Sequence, residues 1–252
     1  MNESMSLLKT SRKFHKWLMA FLGLQFLIWS VTGSYMVFFD IDYIHGDSLV
    51  TNPQDKIEPQ HLDYSLQTLI SSYPDADQIS VGTYRGKPVY RFNSQDKKWL
   101  VDASSGAVLS PLAKEEAILA ARYHYSGLGE VTDIFLITDN APFELNPAAL
   151  PAWQINFDDL GAPTLYISAQ DGALVGKRHN FWRLFDWMFR FHVMDYETGE
   201  DLNNSLLFWF TLLGIFSGLT GLILAYFRIF RTQQASLIQP TQLSNKNNSE
   251  CV

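Results

Sequence analysis

Residues 17–39 read WLMAFLGLQFLIWSVTGSYMVFF, a run of 23 residues without a charged side chain. As an α-helix at about 1.5 Å per residue this run extends about 34 Å, enough to cross the hydrocarbon core of a bilayer. A second uncharged run, LLFWFTLLGIFSGLTGLILAYF at residues 206–227, lies near the other end of the chain. The two runs set the expected class, an α+β membrane protein whose two transmembrane helices flank one large domain. Basic residues precede the first run, as they do in a signal peptide, but a signal's apolar core is shorter and closes on small residues. Here the run passes into FFDIDY, which points to an uncleaved anchor.

Charge sets the orientation. Lys9, Arg12, Lys13 and Lys16 crowd the start of the first run, and Arg228 and Arg231 close the second. The positive-inside rule therefore puts both termini in the cytoplasm and the central domain outside it. Residues 40–204 hold 24 Asp and Glu against 12 Lys and Arg, a net charge of −12, so the two ends carry +5 of the overall −7. Nothing there resembles a basic footprint, which excludes nucleic acid as a partner of the domain. The single cysteine, Cys251, lies in the tail, so the domain has no disulfide, no thiolate cluster and no C-x-x-C-H haem attachment. Its stability must come from its core. The tail itself is rich in Gln, Asn and Ser, the composition of a disordered segment.

Inside the domain the chain repeats. Residues 99–109, WLVDASSGAVL, align without gaps on residues 165–175, LYISAQDGALV, with Ala103, Gly106 and Ala107 falling on Ala169, Gly172 and Ala173 at an offset of 66. Each copy is an alternating strand that reaches a glycine turn and reverses, the signal of a β-hairpin. A strand precedes each, PVYRFN at 88–93 and PAWQINF at 151–157, and a helix precedes that, at 61–72 and 112–125. For the second helix Ser110 is the expected N-cap and Pro111 the first helical residue. The organisation predicted is a cytoplasmic N-terminus (1–16), a span (17–39), two helix-plus-antiparallel-sheet repeats (40–110 and 111–178), an interfacial helix and loop (179–204), a second span (205–229) and a disordered cytoplasmic tail (230–252).

The segment VYRFNSQDKKWLVDASSGAVL at 89–109 resembles the PepSY domain. Residues 12–33, RKFHKWLMAFLGLQFLIWSVTG, and the stretch that begins FHVMDYETGEDLNN at 191 are similar to the flanking helices of PepSY-associated transmembrane proteins. That resemblance implies a periplasmic domain of two PepSY-like repeats. It also implies an activity, since the family includes inner-membrane reductases of ferric iron and ferric siderophores that promote ferrous iron uptake. A b-type haem, iron as substrate, a homodimer, a quinol or cytoplasmic electron donor and a ferrous iron transporter as partner belong to the same expectation. PepSY domains also restrain peptidases, so the alternative is a non-enzymatic binding module for a periplasmic peptidase or transporter subunit.

The histidines are the candidate ligands, because imidazole suits haem iron at neutral pH. His15 enters the first span and His192 precedes the second, while His179 opens the amphipathic, aromatic segment between. In larger family members a Leu-His at the position of Phe191-His192 ligates haem. In one chain His15 and His192 fall at opposite membrane faces, about 30 Å apart, so each would pair with its own copy across a two-fold axis. His45, Asp40, Asp42 and Asp47 form a candidate outer metal site of imidazole and hard oxygen donors. Gly214, Gly218 and Gly221 with Ser217 give the second span a small-residue stripe, and Gln25 shares a face of the first span with His15, Leu22, Trp29 and Thr32. No strand leads into a G-x-G-x-x-G, and H-E-x-x-H and G-x-S-x-G are absent, so nothing supports a bound nicotinamide, a protease or an esterase.

Overall fold

The computed structural model of the chain describes residues 2–51, 55–199 and 201–238. In order the elements are α1 (Asn2–Phe38), α2 (Ile41–Ile44), α3 (Leu66–Ser72), β1 (Asp77–Tyr84), β2 (Lys87–Ser94), β3 (Lys97–Asp102), α4 (Lys114–His124), β4 (Val131–Ile137), β5 (Ala152–Phe157), β6 (Thr164–Ser168), β7 (Leu174–Arg178), α5 (Asn180–Val193) and α6 (Ser205–Ile238). The fold is α+β, with two antiparallel sheets and two helices long and apolar enough to cross a membrane. The chain divides into a central unit, Met36–Asp186, and a unit built from its two ends, up to Tyr35 and from Trp187 on.

In the central unit the sheets follow chain order, β1-β2-β3 and β4-β5-β6-β7. Alternation decides their packing, since successive side chains of a strand face opposite ways. Val89 and Leu100 join Tyr84 on one face of the first sheet, where they meet Ala120 and Ala121 of α4 and Ile155, Phe157, Leu165 and Ile167 of the second sheet in one buried cluster. Their neighbours Tyr90, Phe92 and Val101 turn the other way and bury Leu69 of α3. Tyr166, on the far face of the second sheet, packs on Leu145 and Ala152.

The duplicated hairpins carry the same backbone hydrogen bonds. Gly106 N donates to Asp102 O and Gly172 N to Ser168 O; Asp102 N donates to Ala107 O and Ser168 N to Ala173 O. Both glycines take a positive φ, 74° and 66°. A Cβ on Gly106 would sit 2.5 Å from the Tyr64 ring, and one on Gly172 2.8 Å from the Tyr84 ring. Gly106→Ala and Gly172→Ala are therefore expected to lose about 2–4 kcal/mol each, combining left-handed strain with an overpacked tyrosine. Thermal melting followed by far-UV circular dichroism checks this, and a drop below 1 °C would contradict it.

Three expectations need correction. The helix placed at 61–72 is a 3-10 turn, Pro59–His61, followed by α3, because Tyr64 N leaves the helical pattern to donate to Ala103 O and Ser65 caps the helix through Thr68 N. Ser110 does not cap α4: its hydroxyl accepts from Leu100 N, Leu112 N donates to Ala169 O, and the chain stays extended until Ala113. Two strands, β1 and β4, were not expected at all. In the terminal unit α1 extends toward the N-terminus through the segment expected to precede the span, and α6 continues to Ile238, into the segment expected to be disordered. The rest of that tail, 239–252 with Cys251, lies outside the described residues. The apolar windows of the two helices are His15–Phe38 and Ser205–Ile223. Phe26 and Leu222, each 69 % exposed, show that their apolar side chains face outward rather than into a core.

Candidate functional site

In the terminal unit each of two histidines is seated on a Thr-Gly dipeptide of another helix. His192, at the end of α5, places Nδ1 2.9 Å from Oγ1 of Thr32 on α1. With its proton on Ile28 O at 2.8 Å, that hydroxyl accepts from His192 Nδ1–H. The tautomer follows: Nε2 keeps its lone pair. Trp29 Nε1 donates to His192 O at 2.7 Å and holds the helix end, and Gly33 lies beside the ring, where a Cβ would make ordinary contact at 3.5 Å from His192 Cε1.

The second seat has the same construction. His15 Nδ1 lies 3.3 Å from Thr220 Oγ1, whose proton goes to Ser217 O at 2.9 Å, and the next residue, Gly221, would bring a Cβ 3.8 Å from His15 Cε1. With the hydroxyl proton so placed, Nδ1 is again the donor and Nε2 keeps its lone pair. A histidine held through one nitrogen, with the other left to bind, is the arrangement of an oriented metal ligand. The seats are far apart, since residues 15 and 32 of one helix are separated by about 26 Å along its axis.

Sequence reasoning placed a loop after His192 but missed the carboxylate that organises it. Asp195, 6 % exposed, accepts from Glu197 N, Thr198 N, Thr198 Oγ1 and Asp201 N at 3.1, 3.3, 2.6 and 2.9 Å. Asn204 then donates Nδ2 to Val193 O and Asp201 O while its Oδ1 caps α6 at Leu207 N. The signal was available: an Asp followed by Thr, Gly and Asp within a few residues is loop chemistry.

The other candidates are placed differently. His179, 2 % exposed, donates Nε2–H to Tyr43 O at 2.9 Å and stacks near Tyr43 and Phe181. Burial lowers its pKa below the ordinary imidazole value, with the carbonyl bond acting against that. That imidazole ties the chain after the sheets to the turn after α2. Asp40 caps α2 through Asp42 N and Tyr43 N, Asp47 pairs with Lys177, whose hydrogen bond and charge hold its carboxyl below the usual range, and exposed His45 lies 5.1 Å from the Trp182 ring. Among the described residues no group of three or more His, Cys, Asp or Glu side chains is gathered to hold a metal ion, so His45, Asp40, Asp42 and Asp47 are not brought together as that set.

A further charged cluster in the central unit does structural work. Arg183 forks onto Glu144 at 2.7 and 2.8 Å, and Tyr166 Oη donates to Glu144 at 2.6 Å. Burial pushes Glu144 up, and the bonds from Arg183 and Tyr166 outweigh it, so the carboxyl stays below its ordinary value. A depressed carboxylate stabilises the fold above the unfolded pKa and loses that contribution as pH falls through the folded one. Glu144→Gln is expected to cost about 1–3 kcal/mol at pH 7, less than a fully buried pair because Arg183 is one-third exposed. The difference between variant and parent should shrink as pH is lowered from 5 to 3, measured by tryptophan fluorescence melting; an undiminished gap at pH 3 would contradict it.

No protein-family model, no curated protein and no solved structure matches this chain.

Proposed function

We propose that the chain is a two-span PepSY-associated protein of the bacterial inner membrane that reduces ferric iron, or a ferric chelate, and feeds ferrous iron to a transporter. The observation that carries the reading is the repeated seat: two histidines, each with Nδ1 at a threonine hydroxyl of another helix, and each threonine followed by a Gly beside the ring. His192 would hold one b-type haem and His15 another, each with the same histidine of a second copy of the chain. Haem would supply one-electron transfer; the chain's own residues fix the ring orientation and the basic nitrogen. The acidic domain, at net −12, suits a surface that attracts ferric cations. The positive-inside charge pattern supports cytoplasmic termini and a periplasmic domain.

Reduced-minus-oxidised absorption of the purified chain tests it. A b-type Soret and α band, lost on replacing the histidines, is expected; no such band together with unchanged iron reduction in the variants would sink it.

A binding-module reading also has a structural foothold. Strand β4 edges its sheet, with Phe135 and Leu136 54 % and 47 % exposed, the kind of edge to which a peptide adds a strand. Capture of a specific periplasmic peptidase by the full chain, lost on Phe135→Lys, would favour it.

A further inference from the structure

Between the two histidine seats, α1 and α6 leave a cavity of about 280 Å³ lined by Gln25, Phe26, Trp29, Phe210, Gly214 and Gly218 among others. A Cβ on Gly214 or Gly218 would meet nothing within 4 Å, so the small residues open onto space instead of packing a neighbour. Into this apolar setting the chain puts a carboxamide. Gln25 is 7 % exposed, and its Nε2 has no hydrogen-bond partner. The nearby polar groups are committed elsewhere: Ser217 Oγ to Met19 Sδ at 2.8 Å, and Trp29 Nε1 to His192 O. At mid-span no water reaches such a donor, and leaving it unmatched is costly; a turn of the carboxamide about its last torsion brings it to the cavity, where a partner with an acceptor would match it.

Depth, size and shape narrow that partner. Gln25 lies near the middle of the His15–Phe38 window, away from the ester and phosphate groups of lipids. The volume is at the small end of ligand cavities and suits one substituted ring, not a tetrapyrrole. Phe26 and Trp29 of α1 and Phe210 of α6 line it with the bare backbone of Gly214 and Gly218, an apolar slot suited to a ring. We propose that this cavity is a quinone site, with Gln25 Nε2 donating to a ring carbonyl. The carboxamide also holds an acceptor, and rotation about its last torsion offers that oxygen to a quinol hydroxyl, so one side chain serves both redox forms. The proposal rests on the reading above and names its electron donor as quinol. The balance closes: one quinol becomes quinone, giving two electrons that reduce two ferric ions to ferrous and releasing two protons.

The test is decylubiquinone binding to the full chain in phosphatidylcholine nanodiscs, followed by quenching of tryptophan fluorescence, with the haem spectrum recorded on the same samples. Saturable binding is expected, weakened about tenfold by Gln25→Leu, the size of one hydrogen bond, and lost in Gly218→Leu, which fills the slot. Gln25→Leu should also raise the melting temperature without quinone, since it removes an unmatched donor. No saturable binding to the parent, or binding that neither substitution alters, would overturn the site even with the haem band present. Gln25-dependent binding in protein that shows no haem band would uphold the site and overturn the reductase reading instead. Unaltered binding with dimers reduced to monomers by Gln25→Leu would assign the cavity to a second copy of the chain, and that too would overturn it.

Discussion

His15→Ala and His192→Ala are each expected to abolish one b-type haem, halving the pyridine haemochrome yield per chain while leaving the protein folded, and to lower iron reduction at least a hundredfold. Each substitution removes the ring nitrogen its seat presents, and among the described residues the adjacent hydroxyls of Thr32 and Thr220 already donate to Ile28 O and Ser217 O. The sharper comparison is with the threonines. Thr32→Val and Thr220→Val keep shape and volume but delete the acceptor that fixes Nδ1–H, so the ring is free to turn and to change tautomer. Loss of such a supporting group typically costs 10- to 100-fold in affinity. Haem should titrate onto these variants more weakly by that factor, and Thr→Ser should restore it. A general packing role predicts the reverse, with Val tolerated and Ser costly. Thr32→Val that binds haem as tightly as the parent would remove the seat from the account.

The elements that could be read in advance were those whose signal is local. A run of 23 uncharged residues forms a helix long and apolar enough to cross a membrane, and a glycine at a forced positive φ marks a hairpin turn at both Gly106 and Gly172. Strands β1 and β4 were hidden for opposite reasons. A register shift between Asp77 and Ser80, with Gln78 at φ 48°, breaks the alternation of β1, while Val131 to Ile137 exposes residues on an edge and so lacks a clean apolar face. The cap of α4 failed for a third reason. Ser110 was a sound local choice, but Leu100 N, ten residues back, competes for the same hydroxyl and wins.

The candidate site was legible residue by residue and not pair by pair. His15 and His192 stood out because an imidazole in apolar surroundings needs a partner. The partners are 205 and 160 residues away in sequence, Thr220 and Thr32, and no periodicity connects them. One signal did exist: Thr-Gly occurs once in each apolar run, at 32–33 and at 220–221. The small-residue stripe and the face shared by Gln25, Trp29 and Thr32 each captured half of an arrangement that only the paired helices complete. The oxygen cluster at Asp40, Asp42 and Asp47 was read from nearness in sequence, and in the fold Asp40 caps a helix while Asp47 pairs with Lys177.

Asp195→Ala is expected to be the most damaging change outside the seats. Four donors from Glu197, Thr198 and Asp201 converge on this buried carboxylate, and hydrogen bonds to a charged acceptor contribute about 1.5–3 kcal/mol each when matched and leave buried donors unmatched when it is removed. They do not add independently, because the loop relaxes as a whole, so about 3–5 kcal/mol of local stability is the expected loss. The damage should be directional. Asn204 links the loop to Val193 O next to His192 and also caps α6, so freeing the loop loosens the His192 seat and leaves the His15 seat, at the other end of the helix pair, intact. Limited proteolysis should open a new cleavage in 194–204, with loss of one haem out of two and a spectrum matching that of His192→Ala. Asp195→Asn, which keeps one acceptor oxygen of the right reach, should fall between parent and Ala. Equal loss at both seats would show that Asp195 stabilises the whole unit and does not position His192.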